Sequence, residues 1–136
     1  MSEKDLSPVL MKDTTRALVV PDLLRLIDDP ALPWQAFVPG IEIFRLYRLE
    51  TGQSAALLRY TPGARLIRHR HVGMEHILVL RGSQADENGV HRQGTLLIHP
   101  PGTAHSVRSD EGCVALAIWE RPVVFDPPAG TSVERL

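Results

Sequence analysis

Three of the chain's six histidines fall within residues 63–82, GARLIRHRHVGMEHILVLRG, a run that otherwise reads as strand. Alternate residues of a strand share a face. His69 and His71 therefore project the same way, with Ile67 below them, while Arg68 and Arg70 point to the other side. A turn at Val72-Gly73 brings Glu75 and Ile77 back toward the same interior from the neighbouring strand. Two imidazoles and a carboxylate then converge, and burying them is costly unless each finds a partner. A fourth donor is available in the next His-containing turn, PPGTAH, where His105 stands. That set suits a divalent transition metal, for which Fe, Mn, Ni and Zn all fit by ligand type.

The elements that must position these residues are short strands. From Ile41 onward apolar runs are cut by turn residues: IEIFRLYRLE, SAALLRY, ARLIRHRH, EHILVLRGSQAD, VHRQ, TLLIH, AHSVR and CVALAIWERPVVF. Asn88-Gly89 is a strong hairpin signal because both residues tolerate positive φ. Such spacing predicts an all-β sandwich or barrel. Before it, Thr14–Val20 reads as a first strand, and DLLRLIDDP as a short helical turn capped by Asp22. ALPWQAFVPG reads as loop. The expected organisation is a loosely ordered segment 1–13, one domain over 14–126 and a weakly structured tail 127–136.

Composition narrows the function classes. Fifteen Lys+Arg against sixteen Asp+Glu leave a net charge of −1, with no basic run, which argues against nucleic acid as a partner. The N-terminus has no apolar signal-like stretch, and no segment approaches a membrane span. The single cysteine, Cys113, excludes an internal disulfide and reads as a buried small hydrophobe. The expected setting is the cytoplasm, without membrane contact.

At the histidines the resemblance becomes specific. Gly63-x5-His69-x-His71-x3-Glu75-x6-Gly82 matches the first cupin motif, with Gly63 and Gly82 read as bounding turns. Gly94-x5-Pro100-x-Gly102-x2-His105 matches the second, except that Ser109 stands where the family usually has Asn. With ALLRY, ADENG and GTLLIHPPGTAHSVRSDEGC, the chain resembles the ChrR-like subgroup, the cupin-like C-terminal domains of anti-sigma factors and their free-standing relatives, from about Trp34 to Trp119. The resemblance implies a double-stranded β-helix, the cupin or jelly-roll barrel, with a short N-terminal helical turn. It makes His69, His71, Glu75 and His105 the metal ligands. Three neutral imidazoles and one carboxylate leave a divalent ion with a net charge of about +1, and octahedral geometry leaves positions open for substrate.

Other residues carry plainer expectations. Phe44, Leu57, Ile77, Leu97 and Trp119 are core residues that would also wall a substrate pocket, and His99 is a candidate for its mouth. His76 should face away from Glu75, and His91 should sit solvated beside the hairpin. Both faces of EHILVLRG are apolar, which predicts cover by a second sheet or a second copy and hence a homodimer.

Three function classes follow. The first is a small metal-dependent oxidoreductase of dioxygenase type acting on a chelating diketone or hydroxy-aromatic substrate, with iron as the favoured metal. The second is a non-catalytic metal- or ligand-sensing module in transcriptional or stress regulation. The third, isomerase or lyase chemistry, is singled out by no residue pair. Sigma-factor binding is not expected, because the helical zinc domain of those anti-sigma factors has no counterpart before Trp34 and no cysteine lies there.

Overall fold

Apolar runs between Gly, Pro and Asn-Gly turns become ten strands and one short helix in the computed structural model, which describes residues 8–126. The helix α1 (Leu23–Asp28) starts at Asp22, whose side chain accepts from the Arg25 N–H as an N-cap does. The strands are β1 (Gln35–Val38), β2 (Ile41–Arg48), β3 (Ser54–Tyr60), β4 (Arg65–Arg70), β5 (Glu75–Asp86), β6 (Gly89–Arg92), β7 (Leu96–His99), β8 (Ala104–Arg108), β9 (Cys113–Trp119) and β10 (Val124–Phe125). All strand pairings are antiparallel, and they form two curled sheets. One runs β1-β2-β3-β9-β5-β7 and the other β10-β4-β8-β5-β6, so the twelve-residue β5 belongs to both. This is the jelly-roll barrel expected from the sequence.

Gly82 makes that sharing possible. It lies inside β5 rather than at a bounding turn, with φ of 67°, where the strand leaves one sheet for the other. A Cβ there would collide with the Gly112 carbonyl. Only glycine meets both demands without strain.

Two apolar clusters flank the first sheet. Inside the barrel Ile41, Ile43, Ala56, Leu58, Ile77, Ala117 and Trp119 pack together, with Leu97 against them. Outside, α1 and the preceding chain close over Ile27, Leu32, Phe44, Leu57 and Leu80. Register explains the division. Ala56, Ala117 and Ile77 stand in one cross-strand row facing in, and their neighbours Leu57, Leu116 and Leu78 form the next row facing out. Phe44 pairs with Leu57 and shares its outward face.

The N-terminal expectations need correction. Thr14–Val20 forms no strand, and the strand on that side is Gln35–Val38, inside the segment read as loop. Its short apolar sequence carries two prolines, but Pro33 and Pro39 lie just outside the paired residues. Val9, expected in a loose segment, bridges Arg45, and Leu10 and Met11 donate to the β2 carbonyls of Arg45 and Leu46. Residues 1–7 and the tail 127–136 lie outside the described residues. No described helix is long and apolar enough to cross a membrane.

Candidate metal centre

His69 on β4 stands directly opposite His105 on β8. Alternation does not carry His69 there unaided: the pairing slips between Leu66 and His69, which leaves Ile67 and Arg68 exposed and turns His69 inward. Ile67, expected beneath the histidines, therefore faces solvent at 38% exposure. The bulge spends two residues outside so that Leu66 and His69 both face the core. His71 follows the strand, fixed by its N–H to the Thr103 carbonyl and by its own carbonyl to the Gly102 N–H. Glu75 opens β5. His69, His71, Glu75 and His105 are all buried, and one donor atom from each lies within 4.8 Å of the others.

Hydrogen bonds on the far side of two rings decide which nitrogen faces inward. His69 Nδ1 lies 3.0 Å from the Ile67 carbonyl, which can only accept, so Nδ1 carries the proton and Nε2 a lone pair. His71 Nδ1 lies 2.9 Å from Thr103 Oγ1, and that hydroxyl spends its own proton on the Pro100 carbonyl at 2.7 Å. It must therefore accept from Nδ1–H, and His71 Nε2 is left with a lone pair, buried and without a hydrogen-bond partner. Glu75 Oε1 faces that nitrogen at 3.0 Å. Two lone pairs at that distance repel unless a cation lies between them. Two donors about 2.1 Å from one ion and at right angles to it stand about 3 Å apart. The residues present fit a divalent ion.

His105 Nε2 lies 3.8 Å from the same carboxylate oxygen, and its buried Nδ1 faces Asp86 Oδ2 at 3.6 Å without a hydrogen bond. Asp86 is held from behind by the Asn88 N–H at 2.8 Å and by His91 Nε2 at 3.0 Å. His91, expected to be solvated, is thus tied to a carboxylate that backs the site. Glu75 is gripped from two sides: Trp119 Nε1 donates to Oε2 at 2.7 Å, and His99 Nδ1 reaches Oε1 at 2.9 Å. The His99 ring also stacks on His71, with centroids 4.8 Å apart and planes 12° from parallel.

Burial governs the protonation of this cluster. It pushes the His105 imidazole down to about 4, helped by the neighbouring His69, and it lowers His69 as well. For Glu75 burial alone would raise the carboxyl, but the His99 Nδ1–H it accepts from opposes that, and the acid is held well below the usual carboxylate range. Neutral imidazoles beside an ionised carboxylate are the protonation states that metal binding requires. Burial also pushes the Cys113 thiol up to about 12, which leaves it inert as a nucleophile.

The structure divides the expected pocket residues. Ile77 and Trp119 line a cavity of about 10 Å³ with His69, Glu75, His105 and Tyr60, room for one water-sized group. Leu97 packs beside it, and His99 reaches the centre itself. Phe44 and Leu57 do not line it: they belong to the cluster beneath α1, because strand alternation opposite Ile77 puts Ala56, not Leu57, on the inner face. His76 faces away from Glu75, opposite Ile98 on β7. Missed in the sequence were Thr103, which sets the His71 tautomer, and the part Trp119 plays as a donor. Thr103 lies within the second motif, but nothing marks a threonine there as a hydrogen-bond partner before the loop is folded. Ser109 replaces the family's Asn without breaking the turn: it is fully buried, donates to the Ser83 carbonyl at 2.6 Å, and its own carbonyl accepts from Gly63 N–H at 2.7 Å.

Comparison with known proteins gives a consistent picture. Residues 24–123 match the family described as the ChrR cupin-like domain. No match was found among curated protein sequences. Among solved structures, an acetylacetone dioxygenase from Acinetobacter johnsonii aligns over 100% of this chain and 91% of its own, with TM-score 0.72 and 15% identity. A protein from Methylibium petroleiphilum described as a putative acetylacetone dioxygenase aligns over 93% and 92%, with TM-score 0.72 and 16% identity. The anti-sigma factor ChrR of Rhodobacter sphaeroides, solved in complex with SigE, aligns over 78% of this chain and 70% of that chain, with TM-score 0.59 and 22% identity. At these identities the likeness concerns the fold.

Proposed function

This chain belongs to the ChrR cupin-like domain family, and on that premise we propose that it is a metal-dependent oxidoreductase of dioxygenase type, acting on a small chelating diketone or hydroxy-aromatic ketone. The observation that carries the reading is the pair of buried imidazoles whose Nδ1 protons are committed elsewhere, which turns the His69 and His71 Nε2 lone pairs toward Glu75 and His105. His69, His71, Glu75 and His105 would hold one divalent ion, iron being the choice that suits oxygen chemistry. A ferrous ion held there supplies the one-electron steps that let O₂ react with a closed-shell organic molecule.

The protein's own part is orientation and dryness. Four protein donors would leave positions free on an ion that takes six ligands, which suits a substrate with two adjacent oxygens. Ile77, Leu58, Leu66, Val107 and Trp119 exclude all but one water-sized group from beneath the site. A substrate therefore has to reach the centre from the side of His99, the most accessible of the clustered histidines with 14% of its side chain exposed.

Anaerobic loading of chelator-treated protein with Fe²⁺, followed by O₂-consumption measurements over a panel of β-diketones and hydroxy-aryl ketones, tests this reading. Uptake that depends on both metal and substrate is the expected result. One tightly bound Fe²⁺ per chain with no uptake on any member would remove the oxygenase assignment.

A second reading is favoured by the family itself: a sensory module whose metal occupancy sets its affinity for a regulator. Affinity capture that enriches one regulatory protein only with metal bound would select it.

The outer sheet face supports pairing with a second copy in either case. A row of apolar side chains crosses five strands there, Phe44–Leu57–Leu116–Leu78–Leu96. It begins under α1 and ends at Leu96, which is 56% exposed, with Ile98 beside it at 53%.

A further inference from the structure

His99, Glu75 and Trp119 form a row across three neighbouring strands: in the sheet register Glu75 on β5 pairs with His99 on β7 and with Trp119 on β9. All three side chains turn inward, and each flanking residue gives a nitrogen to a different oxygen of the carboxylate between them. A carboxylate that holds a metal ion can only accept, so with Glu75 in that role the His99 nitrogen facing it is Nδ1–H, and the indole N–H can only donate. The Oε2 contact is short, 2.7 Å, and wholly buried. Oε1, the oxygen that faces His71 and His105, accepts from His99 from the side.

We infer that this row is a clamp that holds Glu75 as a one-oxygen metal ligand, with His99 and Trp119 as positioning residues for the metal centre proposed above, on which the inference rests. A carboxylate can bind a divalent ion through one oxygen or both, and a two-oxygen mode would consume one of the positions left open for substrate. Trp119 occupies Oε2 and turns it from the ion. His99 fixes the carboxylate plane so that Oε1 alone meets the ligand cluster. Its stacking on His71 couples the orientation of two ligands through one side chain. Outer hydrogen bonds of this kind typically govern metal affinity by about 10–100-fold.

The test uses Co²⁺, whose visible absorption reports coordination number, on the full chain. Trp119→Phe removes the indole N–H and keeps most of the bulk. His99→Leu removes the other donor at a partly accessible position where folding is less at risk, and His99→Gln restores a donor. Competition with a chromophoric chelator gives affinity, and metal analysis gives stoichiometry. We expect one Co²⁺ per chain throughout, affinity about 10-fold weaker in Trp119→Phe and in His99→Leu, and recovery of most of that loss in His99→Gln. In the two weakened variants the Co²⁺ absorption should fall in intensity as Glu75 swings to two-oxygen binding. A merely structural role would change thermal unfolding without moving the absorption. Wild-type affinity and spectrum in both variants would overturn the clamp while leaving the metal centre standing. X-ray absorption counting four imidazoles on wild-type Co²⁺ would overturn it differently, by making His99 a ligand. Failure of the wild-type chain to bind Co²⁺ would overturn the metal centre and the clamp together.

Discussion

Acid should weaken the metal-free protein well before its carboxylates titrate, and His105 sets the size of the effect. In the unfolded chain this imidazole takes a proton near 6.5, whereas burial among His69, His71 and His99 delays that to about 4 in the folded state. Between those values the unfolded chain binds a proton that the folded chain refuses, so stability falls as pH falls. At about 1.4 kcal/mol per pH unit, the folded state loses about 2 kcal/mol by pH 5 and about 3 kcal/mol by pH 4. His69, also lowered by burial, adds in the same direction. Glu75 has the same sign in a lower window: its carboxyl is held below the unfolded value of 4.5, so its contribution is intact above that pH and is lost as pH falls further.

The assay is urea unfolding of chelator-treated protein at pH 7.5 and pH 5, for the wild type and His105→Asn. A loss of about 2 kcal/mol corresponds to a midpoint lower by roughly 1 M urea for a small domain. His105→Asn cannot take the proton, so its midpoint should fall by correspondingly less over the same interval. Equal pH dependence in the two proteins would refute the argument that burial keeps this ring neutral. The result bears on function, because a ring that resists protonation keeps its lone pair available to a metal in mildly acidic conditions.

Further outcomes follow from the same geometry. His69→Ala combined with His105→Ala should reduce bound metal from one per chain to none by elemental analysis, while His76→Ala leaves it unchanged. Leu57→Ala should cost about 2–4 kcal/mol in unfolding experiments without altering metal stoichiometry, because Leu57 is fully buried under α1 on the face away from the histidines. Gly82→Ala should destabilise by more than about 2 kcal/mol, since it combines a positive φ with collision against the Gly112 carbonyl; a thermal midpoint equal to that of wild type would contradict this. Light scattering should show a homodimer at micromolar concentration, and Ile98→Glu should shift it to monomer.

How far the sequence reached can be judged from single residues. The strands from β2 to β9 were legible because period-two apolar patterning and Gly, Pro and Asn-Gly punctuation are local signals. The four candidate ligands were legible because their spacing matches a motif, although alternation alone misplaces Ile67: it cannot register the bulge that brings His69 inward. Phe44 and Leu57 went to the wrong face for a related reason. Both faces of this sheet are apolar, so hydrophobicity does not say which face is inside, and only the register with Ala117 and Ile77 does. Thr14–Val20 had strand composition but no strand to pair with, and β1 formed instead where Gln35–Val38 could pair with β2.

By itself, then, the sequence determined the fold class, the strand order along the chain and a set of four donors of the right chemistry. Tertiary structure decided what surrounds them. The Thr103 hydroxyl fixes a tautomer from a loop 32 residues away from His71, and His99 and Trp119, 24 and 44 residues from Glu75, meet its two oxygens. Hydrogen bonds between strands depend on register and bulges summed over the whole barrel, and no local pattern encodes that sum. The four candidate ligands are written in a motif, and the orientation that would let them hold an ion is written in the packing.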